Sequence, residues 1–299
     1  MTLDEVRVMR GSYIWLLVVL TGLTEVGHPA THGNREMDRL ARTSVGFQLY
    51  KDYMIVAQGS VGPMRGLNFL LDTGANTTVL TPRLARKLKL EATPTDVAVL
   101  SGSVRSEMAT APSLQFGPIR SENVPVLIQD LSFIQDAVPI QIDAIVGLDV
   151  LGQSRFLIDY STREISFGPA PSMPGSIPLQ MKNGQAIVDA VINRTTVRLL
   201  VDTAAPALIM FEESPQLESG LNGDATQPTP KKIGDYERRR VRQISFSLGE
   251  VQFGHESAFV APNQRDAGHD FDGLMSPVAL GITRVAVDLN QRVLTFSRD

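Results

Sequence analysis

The sequence predicts an all-β protein built from two similar lobes, on three observations. The first is a motif given twice. Asp72-Thr73-Gly74-Ala75 follows the apolar stretch Phe69-Leu70-Leu71, and Asp202-Thr203-Ala204-Ala205 follows Leu199-Leu200-Val201, 130 positions later in a chain of 299 residues. One Asp-Thr-Gly alone is a weak signal, because aspartate and glycine at a strand end commonly just make a turn. The second observation is a longer correspondence: residues 143–167 lie on 272–296 without a gap, at an offset of 129. Its identities are Asp143/Asp272, Leu151/Leu280, Gly152/Gly281, Arg155/Arg284, Asp159/Asp288, Arg163/Arg292 and Phe167/Phe296. Similarity of one half to the other marks a duplicated unit. The third is that most segments are short, rich in Val, Ile, Leu and Phe, and bounded by turn residues, which reads as strands.

The elements follow in order. Arg7 and Arg10 precede an apolar run over residues 13–23, about half of the ~20 residues that a spanning helix needs. That pattern resembles a secretory signal peptide; a start at Met9 would remove Asp4 and Glu5 and improve it. The expected division is a leader or signal anchor over residues 1–30, a linker over 31–45, lobe one over 46–169, a linker over 170–177 and lobe two over 178–299. An exported location follows: periplasmic, extracellular or membrane-anchored. Strands are expected at Val124–Ile128, Phe156–Asp159, Glu164–Phe167, Val285–Asp288 and Val293–Phe296. Helical pattern is scarce; residues 82–90 are the best case, with proline in the first turn and leucines at 84, 88 and 90. Residues 54–61 answer 186–193, and Leu114-Gln-Phe-Gly117 answers Phe246-Ser-Leu-Gly249. Residues 168–178 hold four prolines and read as the interlobe linker, and residues 214–230 read as a long polar loop.

Composition removes several chemistries. The net charge is −4, with 28 Lys+Arg against 32 Asp+Glu, so no nucleic-acid footprint is expected. The basic run Arg238-Arg239-Arg240 with Lys231-Lys232 reads as a solvated hairpin face. Absence of cysteine excludes disulfides, thiol catalysis and cysteine-based zinc sites, and the four histidines lack metal-ligand spacing. No cofactor and no metal are expected.

These residues resemble the retropepsin-like aspartic peptidases, in a form that fuses two lobes in one chain. Lobe one carries Asp72-Thr73-Gly74-Ala75, a glycine-bearing hairpin candidate at Leu100-Ser101-Gly102-Ser103-Val104, and Ile145-Val146-Gly147. Lobe two keeps the order with Asp202-Thr203-Ala204-Ala205, Ile233-Gly234-Asp235 and Leu274-Met275-Ser276. The resemblance spans residues 46–299 and implies two acid-protease β-barrel lobes about a pseudo-two-fold axis, acting as a monomer on a peptide or protein. It implies a catalytic dyad of Asp72 and Asp202. Two full charges ~3 Å apart at an effective dielectric near 20 repel by about 5–6 kcal/mol, roughly four pKa units. The pair therefore shares one proton near neutral pH: one carboxylate activates water while the other polarises the scissile carbonyl. Thr73 and Thr203 are implied to bond across to each other's loops. Asn76 is implied to hold peptide backbone, and Gly102 and Gly234 to lie in flaps. Alanine at 75 and 205 cannot donate to the outer carboxylate oxygens, so a mildly acidic to neutral optimum is expected.

Lobe two departs from the pattern: Ala204 and Ser276 replace glycines. A left-handed backbone at Ala204 would cost about 1–2 kcal/mol, and a ~1 Å misplacement can cost on the order of a hundredfold in rate. Asn76 and Thr77 after Ala75 are polar, whereas Pro206 and Ala207 after Ala205 supply no such grip. Four readings follow: an intramolecular aspartic endopeptidase, a non-catalytic peptide-binding module on the same fold, a site shared between chains, and two β-domains whose aspartates only cap turns. The tandem arrangement argues against the third, and the ordered recurrence of motifs against the fourth.

Overall fold

The computed structural model describes residues 44–99, 102–211, 240–261 and 270–298. The expected leader, most of the linker before lobe one, the loop 214–230 and Gly234 lie outside the described residues.

The described chain is almost entirely β. Lobe one contains β1 (Ser44–Tyr50), β2 (Met54–Val61), β3 (Met64–Leu71), β4 (Val79–Leu80), β5 (Ala92–Val99), β6 (Gly102–Phe116), β7 (Ile119–Ile128), β8 (Ala144–Val146), β9 (Phe156–Asp159) and β10 (Glu164–Phe167). Two short helices interrupt it, α1 (Pro82–Lys87) and α2 (Leu148–Leu151). Lobe two contains β11 (Gly175–Pro178), β12 (Gln180–Lys182), β13 (Gln185–Ile192), β14 (Thr195–Val201), β15 (Leu208–Phe211), β16 (Arg240–Leu248), β17 (Val251–Ala261), β18 (Gly273–Met275), β19 (Arg284–Asp288) and β20 (Val293–Ser297). The five strands named from the sequence all form. The expected helix is shorter than 82–90: the Thr81 hydroxyl caps it by accepting from the Leu84 amide, and it stops at Lys87.

Each lobe closes on itself in the same order. Lobe one runs β2-β3-β8-β4-β7-β6 and closes through β2–β6; lobe two runs β13-β14-β18-β15-β17-β16 and closes through β13–β16. Gly117 (φ +56°) turns β6 into β7 and Gly249 (φ +59°) turns β16 into β17. Glycine suits both turns because other residues rarely adopt that backbone. An added Cβ there would also lie 2.7 Å from the Phe167 ring or from Ile177.

Structural register corrects one alignment. Val56 pairs with Leu70 and Ile187 with Leu200, so Met54 answers Gln185 and not Ala186. Strand side chains alternate between faces, so a one-residue slip would exchange the two sides of the strand. Met54 and Val56 pack beside Ala75, whereas Ala186 and Val188 face the main core.

Between the barrels lies a sheet in the order β11-β20-β19-β9-β10-β1. Its strands come from both lobes and meet at β9–β19, where Ile158 pairs with Val285. Arg155 forms an ion pair with Asp288 across this seam. Residues 175–178, read from their prolines as linker, form strand β11 paired with β20. One apolar core runs through both barrels and holds Phe69, Phe116, Phe156, Phe246 and Phe296 fully buried.

Candidate active site

Each motif aspartate is delivered by a parallel strand pair. β3 lies beside β8 and β14 beside β18; the Asp72 amide donates to Val146 O (3.1 Å) and the Asp202 amide to Met275 O (3.0 Å). The conserved order of the sequence motifs within the chain thus reflects strands that must be neighbours. Asp143 and Asp272, identical between the halves, do the same work behind each loop: Asp143 accepts from the Asn68 amide (3.0 Å) and Asp272 from the Arg198 amide (2.8 Å).

The two loops meet through their threonines. The Thr73 amide donates to Thr203 Oγ1 and the Thr203 amide to Thr73 Oγ1, both at 3.1 Å. Thr73 Oγ1 donates to Val201 O at 2.8 Å and Thr203 Oγ1 to Leu71 O at 3.1 Å. Both threonines are buried, so these bonds have no competition from solvent.

That lock brings the carboxyls of Asp72 and Asp202 within hydrogen-bonding reach of each other. Asp72 Oδ1 accepts from the amides of Gly74 (2.8 Å) and Ala75 (3.2 Å), and Asp202 Oδ1 accepts from Ala204 (2.8 Å). Both Oδ2 atoms are buried without a donor. Two carboxyls in such proximity repel when both are ionised, and one proton between them relieves that repulsion. Burial pushes Asp72 up to about 7 against the opposing pull of the Gly74 and Ala75 amides. Asp202 is pushed well above the ordinary carboxylate range, first by burial and then by the charge of Asp72. The pair titrates as one unit.

Ala204 is harmless in this geometry. Neither it nor Gly74 has a positive φ, so the left-handed penalty does not arise, and the Ala204 amide still reaches its aspartate. Ser276 has a different history. In lobe one, a Cβ on Gly147 would sit 2.7 Å from Ala75 O, which is drawn in by the Leu148 amide at 2.8 Å. Lobe two has Pro277 at the Leu148 position, which has no amide hydrogen, so the approach that demands glycine loses its cause. The serine fits, yet its hydroxyl is buried without a partner. Since such a group costs about 1–3 kcal/mol, Ser276→Ala is expected to raise the melting temperature by ~2–6 °C, measured by calorimetry.

One buried polar pair escaped the sequence reading. Asp149 accepts from the Thr78 amide (2.9 Å) and hydroxyl (2.8 Å), and Thr78 Oγ1 accepts from the Gly147 amide (3.3 Å). Burial raises Asp149 to about 6, with the Thr78 donors opposing. This brace ties loop one to α2. The corresponding positions in lobe two are Leu208 and Val278, which cannot form it. Comparing the halves for polar pairs that change together would have found it.

The remaining expected residues are placed as follows. Asn76 Nδ2 donates to Asn183 O across the lobes (2.8 Å), and Thr77 Oγ1 donates to Asn76 Oδ1 (3.1 Å). Asn76 is thereby engaged in holding the lobes together. Gly102 opens β6 opposite Val99 in the β5–β6 hairpin, whose tip residues 100 and 101 lie outside the described residues. A pocket of about 460 Å³ lies against this hairpin, lined by Val99, Val104, Ile128 and Phe133 with Arg105 and Asp130. No tyrosine occupies that flap candidate, but Tyr53, in the turn before β2, lies within the field of Asp202. Its phenol is raised by burial and then by that charge.

Comparison with known proteins agrees with the geometry of lobe one. Residues 57–150, from β2 to α2, match the family model described as aspartyl protease. No curated protein matches the chain. The match takes in the Asp72 loop and the strands that frame it, and it shows lobe one to be similar to the aspartyl protease family.

Proposed function

We propose that the protein is an aspartic endopeptidase in which Asp72 and Asp202 activate a water molecule for attack on a peptide bond. The observation that carries this reading is the contact of two buried carboxyls, each fixed by loop amides and held together by reciprocal threonine bonds. A dyad with one proton has both a base for the water and an acid for the carbonyl. No cofactor enters the reaction. The leader pattern supports action after export.

The pH dependence follows from the raised carboxyls. Below about 7 the dyad gains its second proton and loses its base. Well above that, it loses the last proton and with it the acid. Activity is expected to be greatest from neutral to mildly alkaline pH, with kcat/KM falling tenfold per unit on the acid side. This optimum begins where the mildly acidic to neutral range expected from Ala75 and Ala205 ends, because burial adds to the missing hydroxyl donors. A profile that peaks at pH 5 or below contradicts it.

A second reading, a peptide-binding module without turnover, is favoured by one observation. Loop two lacks the Thr78–Asp149 brace that fixes loop one. Cleavage of a peptide library by the purified protein separates the two readings: binding without cleavage supports the module.

A further inference from the structure

Gln185 is an anomaly in its surroundings. It is only 2 % exposed, and its Nε2 finds no acceptor. Buried amide groups are almost always paired within the fold. The fold does not require an amide here, because the same position in lobe one is Met54, which is also buried.

Its location gives the amide a use. Gln185 follows the turn Asn183–Gly184, which rests on loop one. Asn183 O accepts from Asn76, and a Cβ on Gly184 would lie 3.1 Å from the Asn76 Cβ. On β13, Gln185 shares its face with Ile187, which packs with Ala205 and Ala207 of loop two. The opposite face, with Ala186 and Val188, belongs to the main core. Gln185 therefore stands beside both aspartate loops, on the side where Pro206 and Ala207 offer a peptide no polar side chain. Like the Oδ2 atoms of Asp72 and Asp202, its Nε2 is buried with its hydrogen-bonding capacity unused.

We infer that Gln185 holds the backbone of a bound peptide on the lobe-two side, its Nε2 donating to a main-chain carbonyl of an extended substrate. The inference rests on the peptide-binding reading above and adds a specificity element to it. A donor aimed at a main-chain carbonyl selects extended peptide without selecting a side chain. It gives lobe two a polar contact where Pro206 and Ala207 supply none.

The test compares wild type with Gln185→Met, which copies the lobe-one residue. Three measurements are made: kcat and KM on a cleaved peptide, the affinity of a peptide whose scissile carbonyl is replaced by a hydroxyl-bearing carbon, and melting temperature without ligand. Gln185→Met is expected to raise KM and Kd about three- to tenfold, the worth of one hydrogen bond, with the loss falling on KM rather than kcat. Its melting temperature should rise, because an unpaired donor leaves an apolar site. In a series of peptides with single thioamide replacements, a weaker acceptor at one carbonyl should weaken wild type and leave Gln185→Met unaffected. Unchanged KM and Kd, or a lowered melting temperature, overturns the inference while leaving the peptide reading intact. Wild type that neither cleaves nor binds any of these peptides overturns both.

Discussion

Asp72→Asn and Asp202→Asn should each abolish peptide cleavage, by at least about a thousandfold in kcat/KM, while leaving the barrels folded. The geometry gives neither aspartate a substitute. Each Oδ1 is taken up by its own loop amides, and both buried Oδ2 atoms lack a donor. An asparagine keeps the shape and the Oδ1 acceptor but leaves no carboxylate pair to divide one proton. Loss in only the Asp72 variant would instead indicate a site formed between two chains.

The same variants have a second readout in stability. Both carboxyls have folded pKa values raised above the unfolded value near 3.8, Asp72 to about 7. Between those values the folded state binds more protons than the unfolded one, so wild-type stability falls as pH rises from about 4 through 7. It is fully present below the unfolded pKa and levels off once the folded dyad has ionised. Asp202→Asn removes the carboxyl that burial and the charge of Asp72 push up, so it should lessen this decline and be the more stable protein at pH 8, while burial still holds Asp72 raised. The gain is seen as a melting temperature that falls less from pH 5 to pH 8 in the variant than in wild type. A parallel slope in variant and wild type would show that the dyad carries no such strain.

Thr73→Val should be the most disruptive small substitution in the protein. The hydroxyl accepts from the Thr203 amide and donates to Val201 O, so its removal leaves two buried main-chain groups unpaired. At about 1–3 kcal/mol each, the loss is ~2–6 kcal/mol against a typical total of ~5–15 kcal/mol. A fall of ~5–15 °C in melting temperature is expected, together with a loss of activity near a hundredfold as the carboxyls drift apart. Thr203→Val should behave alike, and Thr73→Ser, which keeps the hydroxyl, should recover most of both. Valine variants with wild-type melting temperatures would mean that the lobes are held in place by the interlobe sheet alone.

What the sequence disclosed was whatever both halves had to repeat. The Asp-Thr loops, the strands Phe156–Asp159 and Val285–Asp288, and the paired Asp143 and Asp272 each serve a local need that arises once per lobe. The hidden part was what only one lobe does, or what two distant residues do together. Thr78 and Asp149 are 71 positions apart, and Asn76 and Asn183 are 107 apart; neither partner has a sequence pattern that names the other. The concern over Ala204 failed for a related reason, since a glycine in a motif does not reveal whether its φ is used. The strand at residues 175–178 was masked by prolines, which sit readily on the edge of a sheet.

The brace between Thr78 and Asp149 exists on one side only, and this has a meaning beyond stiffness. A peptide has direction, with an amino end and a carboxyl end that differ at every bond. Two identical lobes would present it with the same wall from either end and could not prefer one orientation. Here one wall is a rigid, polar loop tied to a helix, and the other is an apolar loop that begins Pro206-Ala207. Joining the lobes in one chain lets each change without its twin, and under the proposed peptidase reading the two unequal loops would hold a peptide in one direction.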